Sequence, residues 1–290
     1  MVKLHQSMFK WQPLDKVPVN DLIQTREQVH HAVQLIAASG KYLIEERPDD
    51  SHTSMHWNEN EEAFEGETIR GNPPSRIGFR PADFTLYIKH DERITATISL
   101  GNKTREQAFT WLTRQLEKAG IDVSKFSLQM HYEIPSTTFN ENEPFFLGNK
   151  ECLKTIETYY ANANSLLKAI KEILPEANKI RCWPHHFDIA TLYTIDKEGN
   201  SEDTPSIGIG LSPGDISYQE PYLYVTPSPY PEINDNTIPE LSAGKWHTEG
   251  WVGAVLTADS IYSQNDQVQE VINYVNSALP ACTDLLNHKL

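Results

Sequence analysis

Four amphipathic stripes at helical spacing, three of them ended by a hard stop, alternate with runs of short extended segments, and no other feature limits the fold as strongly. The first spans about Asn20 to Ser39, where Leu22, Ile23, Val29, Val33 and Ile36 recur at helical spacing and Gln24, Arg26, Glu27 and Gln34 take the other face. Gly40 follows it as a C-cap glycine would. The second starts at Thr104, because Gln107 three residues later completes a capping box in which two backbone donors are satisfied reciprocally. Ala108, Phe109, Leu112 and Leu116 form its apolar side, and Gly120 stops it. The third, Glu151 to Leu174, carries Leu153, Ile156, Tyr160, Ala163, Leu167 and Ile170 and halts at Pro175. The last runs from about Asp266 towards His288 through Val268, Val271, Ile272, Val275 and Leu279, with a kink expected at Pro280.

Between the first two stripes, extended segments are predicted at Lys41 to Glu45, Met55 to Asn58, Glu65 to Ile69, Asp83 to His90 and Arg93 to Leu100. The last two read as a hairpin turning at His90-Asp91-Glu92. A strand at Ser127 to Tyr132 precedes a connector, Ile134 to Gly148. Later strands are expected at Lys179 to Trp183, Phe187 to Ile195, Ser206 to Leu211, Tyr222 to Thr226 and Gly250 to Leu256. Turn-rich stretches at Asp196 to Pro205 and Pro227 to Gly244 interrupt them, the second long enough for a functional loop. This order predicts an α+β fold of two helix–antiparallel meander–helix halves, with helices on one face of each sheet. Residues 1–148 and 149–290 are the two halves, as separate domains or as one continuous domain, and no residue-level repeat relates them.

A formal charge of −15 repels phosphate backbones and anionic membrane surfaces, and no basic cluster interleaved with aromatics reverses it, so nucleic acid and membrane are excluded as partners. Cys152, Cys182 and Cys282 are far apart and form neither a disulfide framework nor a zinc knuckle. Lys3, His5, Gln6 and Lys10 break any signal-peptide apolar run, and no stretch approaches the ~20 apolar residues of a membrane span. The expectation is a soluble, cytoplasmic protein.

Chemistry-bearing residues concentrate between Arg181 and Tyr230. In Arg181-Cys182-Trp183-Pro184-His185-His186-Phe187-Asp188, two imidazoles and a carboxylate suit a divalent metal. Read as extended chain, His186 and Asp188 share a face that His185 does not, so Glu220, His247 or Glu249 would have to complete the ligand set. The alternative reading has the histidines flanking a buried strand and Asp188 capping a loop or pairing with Arg181. Gly208-Ile209-Gly210 and Ser212-Pro213-Gly214 lack the lysine and following helix of a phosphate loop, and read as close backbone approach and a turn. Tyr222 and Tyr224 share one strand face, either as a phenolic wall for a small organic ligand or as a cover over core. His52 and His56, ~13 Å apart on a strand, suit a polar binding wall better than one ion. No G-x-S-x-G elbow occurs, and Cys182 forms no recognisable dyad with a histidine.

Trp183, Phe187-Asp188, Ala190, Ser212-Pro213-Gly214, Tyr222-Leu223-Tyr224 and Pro227-x-Pro229 together resemble the signature of an uncharacterised bacterial family, domain of unknown function 5996. The resemblance extends over most of the chain, including the helix ending at Gly40-Lys41, His52, the Thr104 to Gly120 helix, Glu133 and Pro144-Phe145. It implies no activity, since none is established for the family. Where this chain has Pro184-His185-His186, the family tends to carry a small pair, which weighs against the histidines as shared ligands and towards Asp188, Pro213, Gly214, Tyr222 and Tyr224.

Three functions follow. The first is a small organic molecule bound in a cleft lined by Trp183, Asp188, Tyr222, Tyr224 and His52, with Asp188 the candidate catalytic group if the protein is an enzyme. The second is a metal-dependent hydrolase, with His186, Asp188, Glu220 and His247 around a divalent cofactor that lowers the pKa of bound water. The third is a non-catalytic interaction module docking through Pro227 to Pro239.

Overall fold

The computed structural model describes residues 3–134, 139–195, 204–232 and 238–287. Contacts divide the chain into two compact units, one made of Val17–Ala161 with Arg181–Phe187, the other of Met1–Lys16, Asn162–Ile180 and Asp188–Leu290. Neither is a consecutive half: the boundaries fall inside the third helix and on both sides of the Arg181 to Phe187 segment, not between 148 and 149. Most of Asp196 to Pro205, the middle of Pro227 to Gly244 and His288 lie outside the described residues.

The first unit contains α1 (Val19–Leu43), β1 (Met55–Asn58), β2 (Ala63–Gly66), β3 (Ser75–Arg80), β4 (Thr85–His90), β5 (Arg93–Ser99), α2 (Arg105–Lys118), the start of α3 (Lys150–Ile173) and β6 (Arg181–Cys182). Its strands follow the order β6-β1-β2-β3-β4-β5, each antiparallel to its neighbours. The expected hairpin is β4–β5, closed by Asp91 and Glu92, both at positive φ, as a two-residue turn matching strand twist requires. One sheet face meets α1, with Ile36 lying against Gly66. Trp57, Phe64, Tyr160 and Phe187 form a buried aromatic cluster, and the Tyr160 hydroxyl donates to the Phe187 carbonyl.

On the strands' other side-chain face lies a fully buried carboxylate, Glu65. Tyr87 lays its ring across Gly78, where a β-carbon would sit 2.2 Å from it, and donates its hydroxyl to Glu65 at 2.6 Å. Lys89 reaches the same carboxylate at 2.8 Å, Arg76 at 3.5 Å and His56 at 3.7 Å. Burial pushes the Glu65 pKa up, but hydrogen bonds from Lys89, Tyr87 and Asn58 outweigh it and hold the group below its usual value.

The second unit contains β7 (Ile189–Thr194), β8 (Ser206–Ser212), β9 (Tyr222–Ser228), β10 (Lys245–His247), β11 (Gly253–Thr257), α4 (Ala258–Tyr262), α5 (Gln267–Asn287) and the rest of α3. Its strands follow the order β10-β11-β9-β8-β7, and the pairings β10–β11, β11–β9, β9–β8 and β8–β7 are antiparallel. α5 lies on β9 and β11, and the buried Tyr274 hydroxyl donates to the Ala254 carbonyl at 2.7 Å. The N-terminal segment is tied in by Leu4 to Asn276, Gln12 to Asn162 and Leu14 to Gln267. The chain is therefore a mixed α and β protein with antiparallel sheet, and among the described residues no helix is long and apolar enough to cross a membrane.

Several elements differ from expectation. α1 continues through Gly40 to Leu43, so Lys41 to Glu45 is helix end and not strand. Gly40 serves close approach rather than capping: a β-carbon there would lie 2.2 Å from the His52 carbonyl oxygen. Ser127 to Tyr132 forms no strand, and its polar groups are taken by side chains instead. β3, β10 and α4 escape the pattern, β3 because Gly78 breaks its alternation and Pro73-Pro74 precede it. The capping box at Thr104 and the positive φ of Gly120 hold as expected.

Gly40→Ala should destabilise the protein by about 1–3 kcal/mol through overpacking, despite a helix-propensity gain of about 1 kcal/mol. Gly40→Asn should cost at least as much in urea denaturation; a tolerated asparagine would restore the capping role, since asparagine accepts left-handed backbone.

Candidate functional site

The segment expected to be extended, Trp183 to Phe187, is a tight turn, closed by the Phe187 amide donating to the Trp183 carbonyl at 2.7 Å. Phe187 sits at φ 57°, a left-handed conformation uncommon for a bulky residue, and its fully buried ring stacks on His30 at 5.0 Å. Strand alternation therefore does not govern the histidines. His185 is half-buried against Tyr132, whereas His186 is exposed. The turn presents the Pro184 carbonyl to α1, where Nε2 of His30 lies 2.7 Å away and Nε2 of Gln34 donates at 2.8 Å.

That docking belongs to a larger pattern. Glu27, Gln28, His31 and Gln34 are all buried, although their spacing on α1 reads as a solvent face. Residues near the 128–146 stretch supply partners: the Phe139 amide donates to Glu27 at 3.1 Å, the Phe146 amide to Gln28 at 3.1 Å, and the Tyr132 hydroxyl to Oε1 of Gln34 at 2.8 Å. Lys41 and Tyr42 donate to the Gln129 carbonyl.

The partners run out at His31. Among the described residues five buried side-chain nitrogens have no hydrogen-bond partner; three of them, Nδ1 and Nε2 of His31 and Nε of Arg105, belong to residues that border one cavity. That cavity measures about 760 Å³ and is walled by Gln34, Leu128, Met130, Tyr132 and Glu141 among others. Its size is that of a small-molecule site. His31 is 5% exposed and stacks on Phe139 at 3.8 Å. Arg105, the first residue of α2, is placed by the Thr104 cap; it pairs with Glu141 and donates to the Leu128 carbonyl at 3.3 Å.

Burial, with Arg105 adding to it against a weaker opposite pull from Glu27, pushes the His31 pKa down to about 4. Burial likewise takes His30 down to about 3, partly offset by the Pro184 carbonyl. Burial also raises the Tyr132 phenol well above its usual range. At neutral pH the site thus holds a neutral imidazole, a neutral phenol, an amide and a guanidinium, together with Glu106, Glu133 and Glu141. A neutral imidazole offers one donor and one acceptor.

The residues singled out by sequence are distributed otherwise. Asp188, Tyr222 and Tyr224 do come together in the second unit: the rings lie 6.3 Å apart, and Tyr224 donates to Asp188 at 2.5 Å. Tyr222, however, donates to Asp215 at 2.6 Å, so both phenols are engaged with carboxylates. Trp183 belongs to the first unit, half-buried with its edge on His185. His52 is buried in the loop before β1, accepting from the Arg47 amide at 3.2 Å. His247 is engaged by the Tyr218 hydroxyl at 3.1 Å and the Glu249 carbonyl at 2.8 Å, and burial raises the Glu220 pKa. Among the described residues no three His, Cys, Asp or Glu side chains gather where they could hold a metal ion, so His186, Asp188, Glu220 and His247 form no metal centre.

The depressed histidines link stability to acidity. In the unfolded chain they titrate near 6.5, in the fold near 4 and 3, so the unfolded state binds more protons between those values. Their contribution is complete above pH 6.5 and is lost as pH falls towards 4 for His31 and 3 for His30. Urea denaturation should show a slope of up to about 1.4 kcal/mol per pH unit for each imidazole, and His31→Gln should remove one imidazole's share. An unchanged slope in that variant would mean that His31 is protonated in the fold.

No protein-family model matches the chain, and neither a curated protein nor a solved structure matches it.

Proposed function

We propose that the protein binds a small organic molecule in the cavity lined by His31, Gln34, Arg105 and Tyr132. The observation that carries this reading is His31, an almost fully buried imidazole with two unpaired nitrogens, in a residue that borders a cavity of about 760 Å³. An unsatisfied buried polar group costs about 1–3 kcal/mol, which a core would ordinarily avoid with an apolar side chain. A ligand able to pair with the imidazole recovers that cost on binding. Tyr132 and Glu141 line this cavity, a different position from the wall of Trp183, Asp188, Tyr222, Tyr224 and His52. The resemblance to domain of unknown function 5996 rests on the residues quoted for it and implies no activity.

His31→Leu separates this reading from a purely structural one. In a thermal-shift screen of polar metabolites, wild type should gain a few degrees at saturating ligand, as preferential binding to the folded state requires. His31→Leu should be as stable as wild type or more so, because it removes both unpaired nitrogens, yet lose the response. Asp188→Asn, in the other unit, should keep it. If His31→Leu retains every response and Asp188→Asn abolishes them, the site lies at the Asp188–Tyr224 pair and the proposal fails.

A further inference from the structure

We infer that α3 and α5 form a site for an extended peptide gripped by its backbone, filled here by Lys3 to Lys16 and open to a like segment of another polypeptide. A like segment is basic and has a large apolar residue at every fifth position.

Three side-chain amides are the starting point. Asn276 accepts from the Leu4 amide at 2.8 Å and donates to the Leu4 carbonyl at 3.0 Å. Asn162 does the same for Gln12, at 2.8 Å in both directions. Gln267 does it for Leu14, at 2.9 Å in both. Ser165 takes the Lys10 amide at 2.8 Å. All these groups belong to the second unit. A carboxamide carries a donor and an acceptor side by side, so each clamp meets both backbone groups of one residue. Main-chain bonds of this kind give affinity for an extended peptide, and pockets for its side chains give specificity.

A segment built into a fold pairs its backbone in a ladder or a helix. Apart from one turn at Gln6–Met8, Lys3 to Lys16 makes no backbone-to-backbone hydrogen bond among the described residues. Its buried side chains are Leu4, Phe9 and Leu14, five residues apart; those between are exposed except Met8 and Trp11, which are half-buried. Gln12 is exposed, so its clamp serves the backbone alone. The segment holds three lysines and one aspartate in a chain of formal charge −15, and Lys16 pairs with Asp259 at 2.6 Å. An acidic body favours a basic segment over a neutral or acidic one. Nor is the seat close-packed: a cavity of about 390 Å³ is bordered by Lys3 to Gln6 and by Gln269, Ile272 and Asn273 of α5. A segment held by few buried side chains opens at low cost while the helices beneath it stay folded.

The probe is a fluorescent synthetic peptide of residues 3–16, titrated into two full-length proteins. In the combined variant Leu4→Asp, Phe9→Asp and Leu14→Asp the chain's own segment cannot seat, and the peptide should bind with micromolar affinity. Wild type, whose site is filled, should bind it about tenfold or more weakly, as an intramolecular competitor requires. Methylating the amide nitrogen of Gln12 or Leu14 in the peptide should weaken binding several-fold, the margin of one hydrogen bond. Methylating that of Trp11, which meets no clamp, should not, and neither should Gln12→Ala. No binding to the combined variant, equal binding to both proteins, or indifference to methylation at Gln12 and Leu14 overturns the inference; so does a loss on Gln12→Ala as large as that on methylation. Should the combined variant fail to fold, hydrogen exchange of wild type decides. Excess unlabelled peptide should then hasten exchange of the Leu4, Gln12 and Leu14 amides together by capturing the vacated site, and unchanged exchange at millimolar peptide overturns the proposal.

Discussion

Burying the polar face of α1 is the constraint from which the first unit follows. A helix satisfies its own backbone, but the side chains of Glu27, Gln28, His31 and Gln34 must find partners once water is removed. Regular structure cannot supply them, because strands and helices spend their amides and carbonyls on each other. Backbone without regular structure can. The Phe139 and Phe146 amides and the Pro184 carbonyl meet three of these four side chains, which explains why the neighbouring stretch forms no strand and why Trp183 to Phe187 is bent into a turn. The supply fails at one position, and a cavity opens there.

Each unit also contains the same device on its sheet. In the first, Tyr87 crosses Gly78 to donate to Glu65; in the second, Tyr224 crosses Gly210 to donate to Asp188. The chain order is carboxylate, glycine, tyrosine in both, and each glycine is directly opposite its tyrosine on the adjacent strand. A tyrosine over a glycine restores the packing that the missing side chain forfeits and guides the hydroxyl to a carboxylate beyond. The consequences differ with burial. Glu65 is sealed among Tyr87 and Lys89 and is a structural charge, whose removal would leave the buried Lys89 with Glu61 as its remaining carboxylate. Asp188 is half-buried, and its phenol partner is half-buried too.

Local signals were the legible part of the sequence. The capping box at Thr104, the turn before Arg93, the stop at Gly120 and the bounds of α3 and α5 all depend on neighbours a few residues away, and these the pattern finds. Gly40 shows the limit: a glycine after an apolar stripe reads as a cap, and only the loop at His52 reveals that it is there for contact. The candidate site was illegible for the same reason. Gln24, Glu27, Gln28, His31 and Gln34 form a polar stripe visible in the sequence, but periodicity gives the angle between two helix faces and not whether both are covered. The Trp183 to Asp188 segment misled in the opposite direction, since alternation applies to a strand and Pro184 begins a turn.

The placement of the unpaired nitrogens argues that they are a property of a site and not a packing defect. A defect is isolated and cheap to repair: leucine at position 31 would fill the space and remove two unmet hydrogen bonds at once. Here the histidine is surrounded by groups whose own needs are met with care, Gln34 by three partners and Tyr132 by Gln34, so the surrounding network is well made up to the cavity wall. Arg105 repeats the pattern, with two nitrogens engaged and the third unpaired. Two side chains of one cavity's lining are thus left incomplete beside side chains whose hydrogen bonds are made.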